Sequence, residues 1–129
     1  MSSIINASVS SSGIVSTADA SGILLCQSNG KNINAMAWAN FNGTAATLTN
    51  GYNISSITRN STGNYTLAFT TAMTNANYTV NATGGSANRV LTCDNATTAN
   101  TTSAFVIRQT DLSGTVQDYT ILSVVVFGT

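Results

Sequence analysis

A chain of 129 residues has room for one hydrophobic core, which excludes a multidomain enzyme. Its charges, Lys31, Arg59, Arg89 and Arg108 against Asp19, Asp94, Asp111 and Asp118, cancel, so no basic face exists to neutralise phosphates and nucleic-acid binding is not expected. His, Glu and Pro are absent, which removes the usual general base, the commonest metal ligand and one of the two carboxylates from any catalytic scheme.

Uncharged polarity replaces charge: the chain holds 16 Ser, 21 Thr and 16 Asn, so its solubility rests on hydroxyls and amides. A hydrophobic content of 43% supplies enough apolar area to offset the entropy of ordering, and the chain reads as folded rather than disordered. Val, Ile and Thr total 39 residues; their branched Cβ favours pleated strands, and an all-β fold follows. No apolar run is long enough for a membrane helix, and Met1-Ser2-Ser3-Ile4-Ile5-Asn6 lacks the basic and apolar regions of a signal peptide. The expectation is cytoplasmic synthesis with neither conventional export nor membrane insertion. Nine Asn-x-Ser/Thr sequons are attributed to the composition rather than to glycosylation.

Residues 1–22 contain apolar pairs (Ile4-Ile5, Ile14-Val15) without sustained periodicity. They are expected to form an extended arm whose ordering is offset by contacts with its own domain, a neighbouring subunit or a larger assembly, the alternative being a loose tail. Residues 23–129 are expected to form one antiparallel β-sandwich or jelly-roll-like domain, because turn signals recur every eight to twelve residues. Asn29-Gly30, Asn42-Gly43 and Asn50-Gly51 each suit a hairpin turn with positive φ, and they delimit strands at about 23–28, 35–41, 44–49 and 52–59. Asn60-Ser61-Thr62-Gly63 precedes a strand over 64–70 in which Tyr65, Leu67 and Phe69 alternate with small or polar residues. Further strands fall at about 77–83, with Tyr78, Val80 and Ala82 on one side, then 88–93, 103–109 and 118–127, with turns at Gly84-Gly85, 95–102 and Leu112-Ser113-Gly114. That gives nine short strands. The last is apolar on both faces, which makes it central or buried against another chain.

Candidate chemistry is sparse. Cys26 and Cys93 lie in apolar strand contexts and without a His are expected to be buried thiols, a disulfide being disfavoured in reducing cytoplasm. The four Asp are scattered; Asp19, Asp111 and Asp118 flank turns and suit turn duty. No Asp-x-Asp-x-Asp loop offers a calcium site, and Lys31 in an Asn-Gly-Lys turn makes a poor base for a Ser-Lys dyad. Neither metal, cofactor nor catalytic residue is expected. The aromatic residues Trp38, Phe41, Tyr65, Phe69, Tyr78, Tyr119 and Phe127 are the structural or interface candidates. Among them Trp38 is expected to anchor either the sandwich core or an interface, with stacking on a ligand as the alternative.

Trp38-Ala39-Asn40-Phe41-Asn42-Gly43-Thr44, then Tyr52-Asn53-Ile54-Ser55-Ser56-Ile57-Thr58 and Gly63-Asn64-Tyr65-Thr66-Leu67-Ala68-Phe69-Thr70-Thr71-Ala72-Met73-Thr74-Asn75-Ala76-Asn77-Tyr78, resemble a domain of tail-fibre-type proteins of tailed bacteriophages from marine and freshwater hosts. Order and spacing match over residues 36–80. Ala20-Ser21-Gly22-Ile23-Leu24-Leu25 and Gln27-Ser28-Asn29-Gly30 resemble the leader before that domain, whereas the last third agrees only in its β pattern. The chain departs from the family by carrying uncharged residues in the Arg59–Asn64 turn and Thr74-Asn75 where Pro and an acid are expected. The resemblance implies a virion structural protein, commonly a homotrimer, contacting other phage proteins of tail or capsid and released by lysis. It carries over no catalytic or sugar-binding residue. A capsid decoration protein and a carbohydrate-binding module recognising host surface glycan are the competing expectations; the module needs an aromatic on a solvent face beside convergent polar groups.

Overall fold

The computed structural model describes residues 27–28, 31–85, 89–93 and 99–128. Every regular element in them is a strand, as the β-branched composition requires: β1 (Gln27–Ser28), β2 (Lys31–Asn32), β3 (Ala37–Asn42), β4 (Thr47–Tyr52), β5 (Ile54–Ser61), β6 (Asn64–Phe69), β7 (Thr79–Gly84), β8 (Arg89–Cys93), β9 (Ala104–Asp111) and β10 (Leu122–Phe127). The first two form a minimal ladder of their own. The other eight build two antiparallel four-stranded sheets, sheet one in the order β4-β3-β10-β7 and sheet two in the order β5-β6-β9-β8.

Strict alternation places one side chain in two between the sheets. Sheet one turns inward Ala37, Ala39 and Phe41 of β3 and Leu122, Val124 and Val126 of β10, while sheet two contributes Tyr65, Leu67 and Phe69 of β6 and Phe105 and Ile107 of β9. Across the gap Phe41 and Tyr65 meet edge to face at 5.5 Å. A second group joins Phe69 to Tyr78 and Phe105, with both centroid distances at 5.4 Å. The Tyr78 hydroxyl, shared between the carbonyls of Thr101 and Ala104, keeps that buried ring's polar end satisfied.

Two strand irregularities decide which residues face the core. A register shift between Ile54 and Ser56 lets Ile54 and Ile57, three apart, both point inward opposite Phe69 and Leu67. Another, between Asn40 and Phe41, sets Leu48 against Phe41 and leaves Asn50 and Tyr52 on the outer side opposite Asn40 and Trp38.

Several expectations need correction. The sandwich has eight strands rather than nine, since of the segment 23–28 only the two-residue β1 is described. Jelly rolls alternate successive strands between sheets except at one hairpin, whereas here β3–β4, β5–β6 and β8–β9 are all hairpins within a sheet. Asn50-Gly51 is not a turn; it lies inside β4, where a Cβ on Gly51 would stand 2.8 Å from the Trp38 carbonyl oxygen. Glycine is there for close strand approach, and the chain changes sheets instead at Asn53, whose φ of 55° is left-handed. Residues 118–121 precede β10 rather than belonging to it. The arm over residues 1–22 and Cys26 lie outside the described residues, and Cys93 is half-buried, its thiol 3.4 Å from the Asn100 side-chain oxygen.

For Trp38 the core alternative is corrected, while the interface alternative stands as an expectation. Ala37 and Ala39 point inward, so Trp38 between them points out, half-buried against Tyr52 on one side and Val125 on the other. The core anchor of β3 is Phe41, 1% exposed. Phe41→Ala is expected to cost about 3–5 kcal/mol and Trp38→Ala no more than about 1–2 kcal/mol, measured by urea unfolding. Equal losses would mean that β3 is turned the other way.

Candidate functional site

An ion pair between Arg59 and Asp118 sits where the β5–β6 hairpin meets the β9–β10 connection. The two-residue turn Thr62-Gly63, with Gly63 at φ 65°, aims the Gly63 amide at Asp118. The same carboxylate oxygen, Oδ1, accepts from Gly63 at 2.8 Å and from the Tyr65 hydroxyl at 2.5 Å. The other, Oδ2, accepts from Arg59 Nε at 2.8 Å and Nη2 at 2.6 Å. Arg59 Nη2 also reaches Thr62 Oγ1 at 3.0 Å. Burial on its own would raise the Asp118 pKa, but the hydrogen bonds from Arg59, Gly63 and Tyr65 and the Arg59 charge outweigh it and hold the carboxyl at about 2. Desolvation, with the adjoining carboxylate, pushes the Tyr65 hydroxyl well above the usual phenol range. All three groups are locked in the protonation states they already have at neutral pH. The arrangement stores no proton to give or take and acts as a clamp between the two ends of sheet two's covering loops.

Asp111 performs the turn duty expected of it. Its Oδ1 accepts from the amides of Ser113 and Thr115 and from the Ser113 hydroxyl at 2.6–2.9 Å, while Gln117 Nε2 donates to Oδ2 at 3.3 Å. Beside these two carboxylates Gln109 is 0% exposed, and its side-chain amide has no partner among the described residues.

The outer face of sheet one is a different kind of surface. None of β3, β4, β7 and β10 carries a charged residue. Outward from β3 and β10 come Trp38, Val125 and Phe127, the last 42% exposed, with Tyr52, 50% exposed, opposite Trp38 on the edge strand β4. Asn40, Asn50, Asn81 and Ser123 surround them, and the Ser123 hydroxyl bonds the Asn40 side chain. This strip is apolar in its centre and amidic at its margin.

At one end of the strip a cleft of about 270 Å³ opens between Tyr52, Met36 and the segment 70–74. Asn53 builds its back wall: its Nδ2 donates to the carbonyls of Met36 and Thr71 at 3.1 and 3.2 Å, and its Oδ1 accepts from the Thr71 amide at 2.7 Å. The Thr70 amide donates to the Asn53 carbonyl and that of Met73 to Thr102, so the segment is pinned on both sides.

The seven aromatic candidates therefore divide. Phe41, Tyr65, Phe69 and Tyr78 are core; Tyr119 is half-buried, packs on the core and donates its hydroxyl to Gln117; Trp38 and Phe127 lie on the outer face. Asn53 and Gln109 were not anticipated, and Tyr52 was not singled out from the other aromatic residues. Tyr52 was legible in principle, because an Asn-Gly read as a strand interior puts it on the same face as Trp38. No protein-family model, curated protein or solved structure matches the chain. The resemblance over residues 36–80 accordingly stands on the quoted residues alone.

Because the folded Asp118 value lies below the ordinary ~3.9 of an unfolded chain, the folded state favours the carboxylate and its contribution is complete above about pH 5. It is expected to disappear as pH falls from about 4 to 2, on the order of 1–2 kcal/mol after allowance for solvent screening of the partly exposed Arg59. Acid titration of the unfolding midpoint checks this, and Asp118→Asn should flatten the curve. Gln109→Met, which leaves no orphaned amide, is expected to be neutral or to stabilise by about 1 kcal/mol. A loss above about 2 kcal/mol would show that the amide is engaged.

Proposed function

We propose that this chain is a non-catalytic structural component of a bacteriophage virion, a short tail-fibre-type appendage or adaptor that assembles as a homotrimer and contacts other virion proteins. The observation that carries the reading is the charge-free outer face of sheet one with its Trp38, Val125 and Phe127 strip. A partly exposed apolar strip of this kind, with Phe127 and the adjoining Tyr52 most open to solvent, is a surface that assembly can cover. The resemblance over residues 36–80 supplies the kind of assembly, since it runs from just before β3 into β7 and so includes one half of that sheet. A surface built from amides and hydroxyls, with Asp118 already at about 2, suits a particle that must keep its shape through changes of medium after lysis.

Light scattering of the purified chain is expected to give three copies per particle. Phe127→Asp, which places a charge at the end of the strip, should shift the protein to monomer while its far-ultraviolet circular dichroism stays that of a β protein. A wild-type monomer at micromolar concentration, absent from purified virions, would sink the reading. Copy number by mass spectrometry of virions separates its two forms: a handful of copies fits a tail appendage, and hundreds fit a capsid decoration protein instead.

A further inference from the structure

We infer that Asn50-Gly51 is a self-modifying site, at which the Gly51 backbone nitrogen attacks the Asn50 side-chain amide and converts Asn50, in the folded chain, to isoaspartate and aspartate. The Gly51 amide donates to Asn50 Oδ1 at 2.9 Å, a local side-chain-to-backbone bond that rests the nucleophile beside the carbonyl it must reach. Water is the only co-reactant. The Gly51 nitrogen gives up its proton and bonds to Asn50 Cγ, the Cγ–Nδ2 bond breaks, and Nδ2 takes the proton and leaves as ammonia. The product is a five-membered succinimide. Water then opens this ring at either carbonyl: cleavage at Cγ restores the original backbone as aspartate, and cleavage at the Asn50 backbone carbonyl reroutes the chain through Cγ as isoaspartate. No electrons change hands.

The structure singles out this Asn-Gly pair from another. Gly51 has no Cβ to obstruct ring closure, Asn50 is exposed, and β4 is an edge strand with only β3 beside it. Leu48 pairs with Phe41 and Asn50 with Asn40, which leaves Thr49 without an opposite number. This bulge interrupts the ladder directly before Asn50, where the backbone must turn for the ring to close. Asn42-Gly43 has the same chemistry and the opposite setting. The Gly43 amide donates to the Tyr119 carbonyl at 2.8 Å, while Asn42 Oδ1 accepts from the Ala45 amide at 3.0 Å. Nucleophile and target are thus held by different partners, and Gly43 is buried. Asn29-Gly30 lies outside the described residues.

The product changes the surface on which it forms. Asn50 stands opposite Asn40 on the outer side of sheet one, whose four strands carry no charged residue. Either product puts a carboxylate there, and covering it without a counter-charge is costly. On the assembly reading given above, chains that stay unassembled longest are modified most and join least readily.

The test is to age the purified full chain at mildly alkaline pH and body temperature, folded and in concentrated urea, and to follow each Asn-Gly peptide by mass spectrometry with fragmentation that distinguishes isoaspartate. In urea Asn42 and Asn50 are expected to react at similar rates. In the folded chain Asn50 should gain its one mass unit, with isoaspartate present, at least tenfold faster than Asn42. Asn50→Gln, which keeps the amide but needs a larger ring, should stay unmodified at that position with a thermal midpoint close to wild type. Equal rates at the two sites in the folded chain, or an Asn50 that reacts only in urea, overturn the inference. Conversion to aspartate alone also overturns it, because direct hydrolysis forms no ring. The consequence for assembly is read separately: Asn50→Asp should weaken self-association. A wild-type chain that never self-associates sinks the assembly reading, while the rates at Asn50 still decide the modification.

Discussion

Sheet one exists only because β10 lies in its middle, paired with β3 on one side from Leu122 opposite Phe41 to Val126 opposite Ala37, and with β7 on the other. Neither β3 nor β7 touches the other in the sheet, so the ladder of residues 122–127 is what joins the β3–β4 hairpin to the rest. Its inward side chains, Leu122, Val124 and Val126, are 4% exposed or less and complete the layer against Tyr65, Leu67, Phe105 and Ile107. The β3 partners are more than eighty residues away in sequence and the β7 partners about forty, non-local pairings of the kind that slow folding. Everything on the outer face, including the Trp38 strip, inherits its geometry from this one register.

The opposite end of the molecule is secured by different means. Tyr65 is wholly buried and brings a hydroxyl that needs a partner, and Asp118 supplies it while also taking the Gly63 amide and the Arg59 guanidinium. Here the chain spends one of its few charge pairs. A carboxylate with four donors is well satisfied, whereas the neighbouring Gln109 amide is not. The two residues show how unevenly polar groups are distributed in a core that otherwise relies on packing alone.

Much of the fold was readable from the sequence because period-two alternation is a direct consequence of pleating: Tyr65, Leu67 and Phe69 behave as expected, and so do Val80 and Ala82. The last strand, expected over 118–127 and apolar on both faces, was to be central or buried against another chain, and β10 is central in its sheet. Alternation fails at bulges. The shift at Asn40/Phe41 lies on the partner strand of Gly51, and a dipeptide that suits a hairpin turn was instead selected for close approach to Trp38. Residue type misled at Trp38, since size suggests the core while parity, set by Ala37 and Ala39, sends the ring outward. The cleft was illegible, because Met36, Tyr52 and Thr70–Thr74 come together only through the sheet change at Asn53.

The absence of any charged side chain from the four strands of sheet one governs how fast anything arrives there. Without a field to steer a partner, encounters at this face proceed at the rate of unassisted docking, on the order of 10⁵–10⁶ M⁻¹s⁻¹. Retention at such a face then has to come from slow departure, set by how closely the apolar centre is packed and how well the amides at its margin are paired.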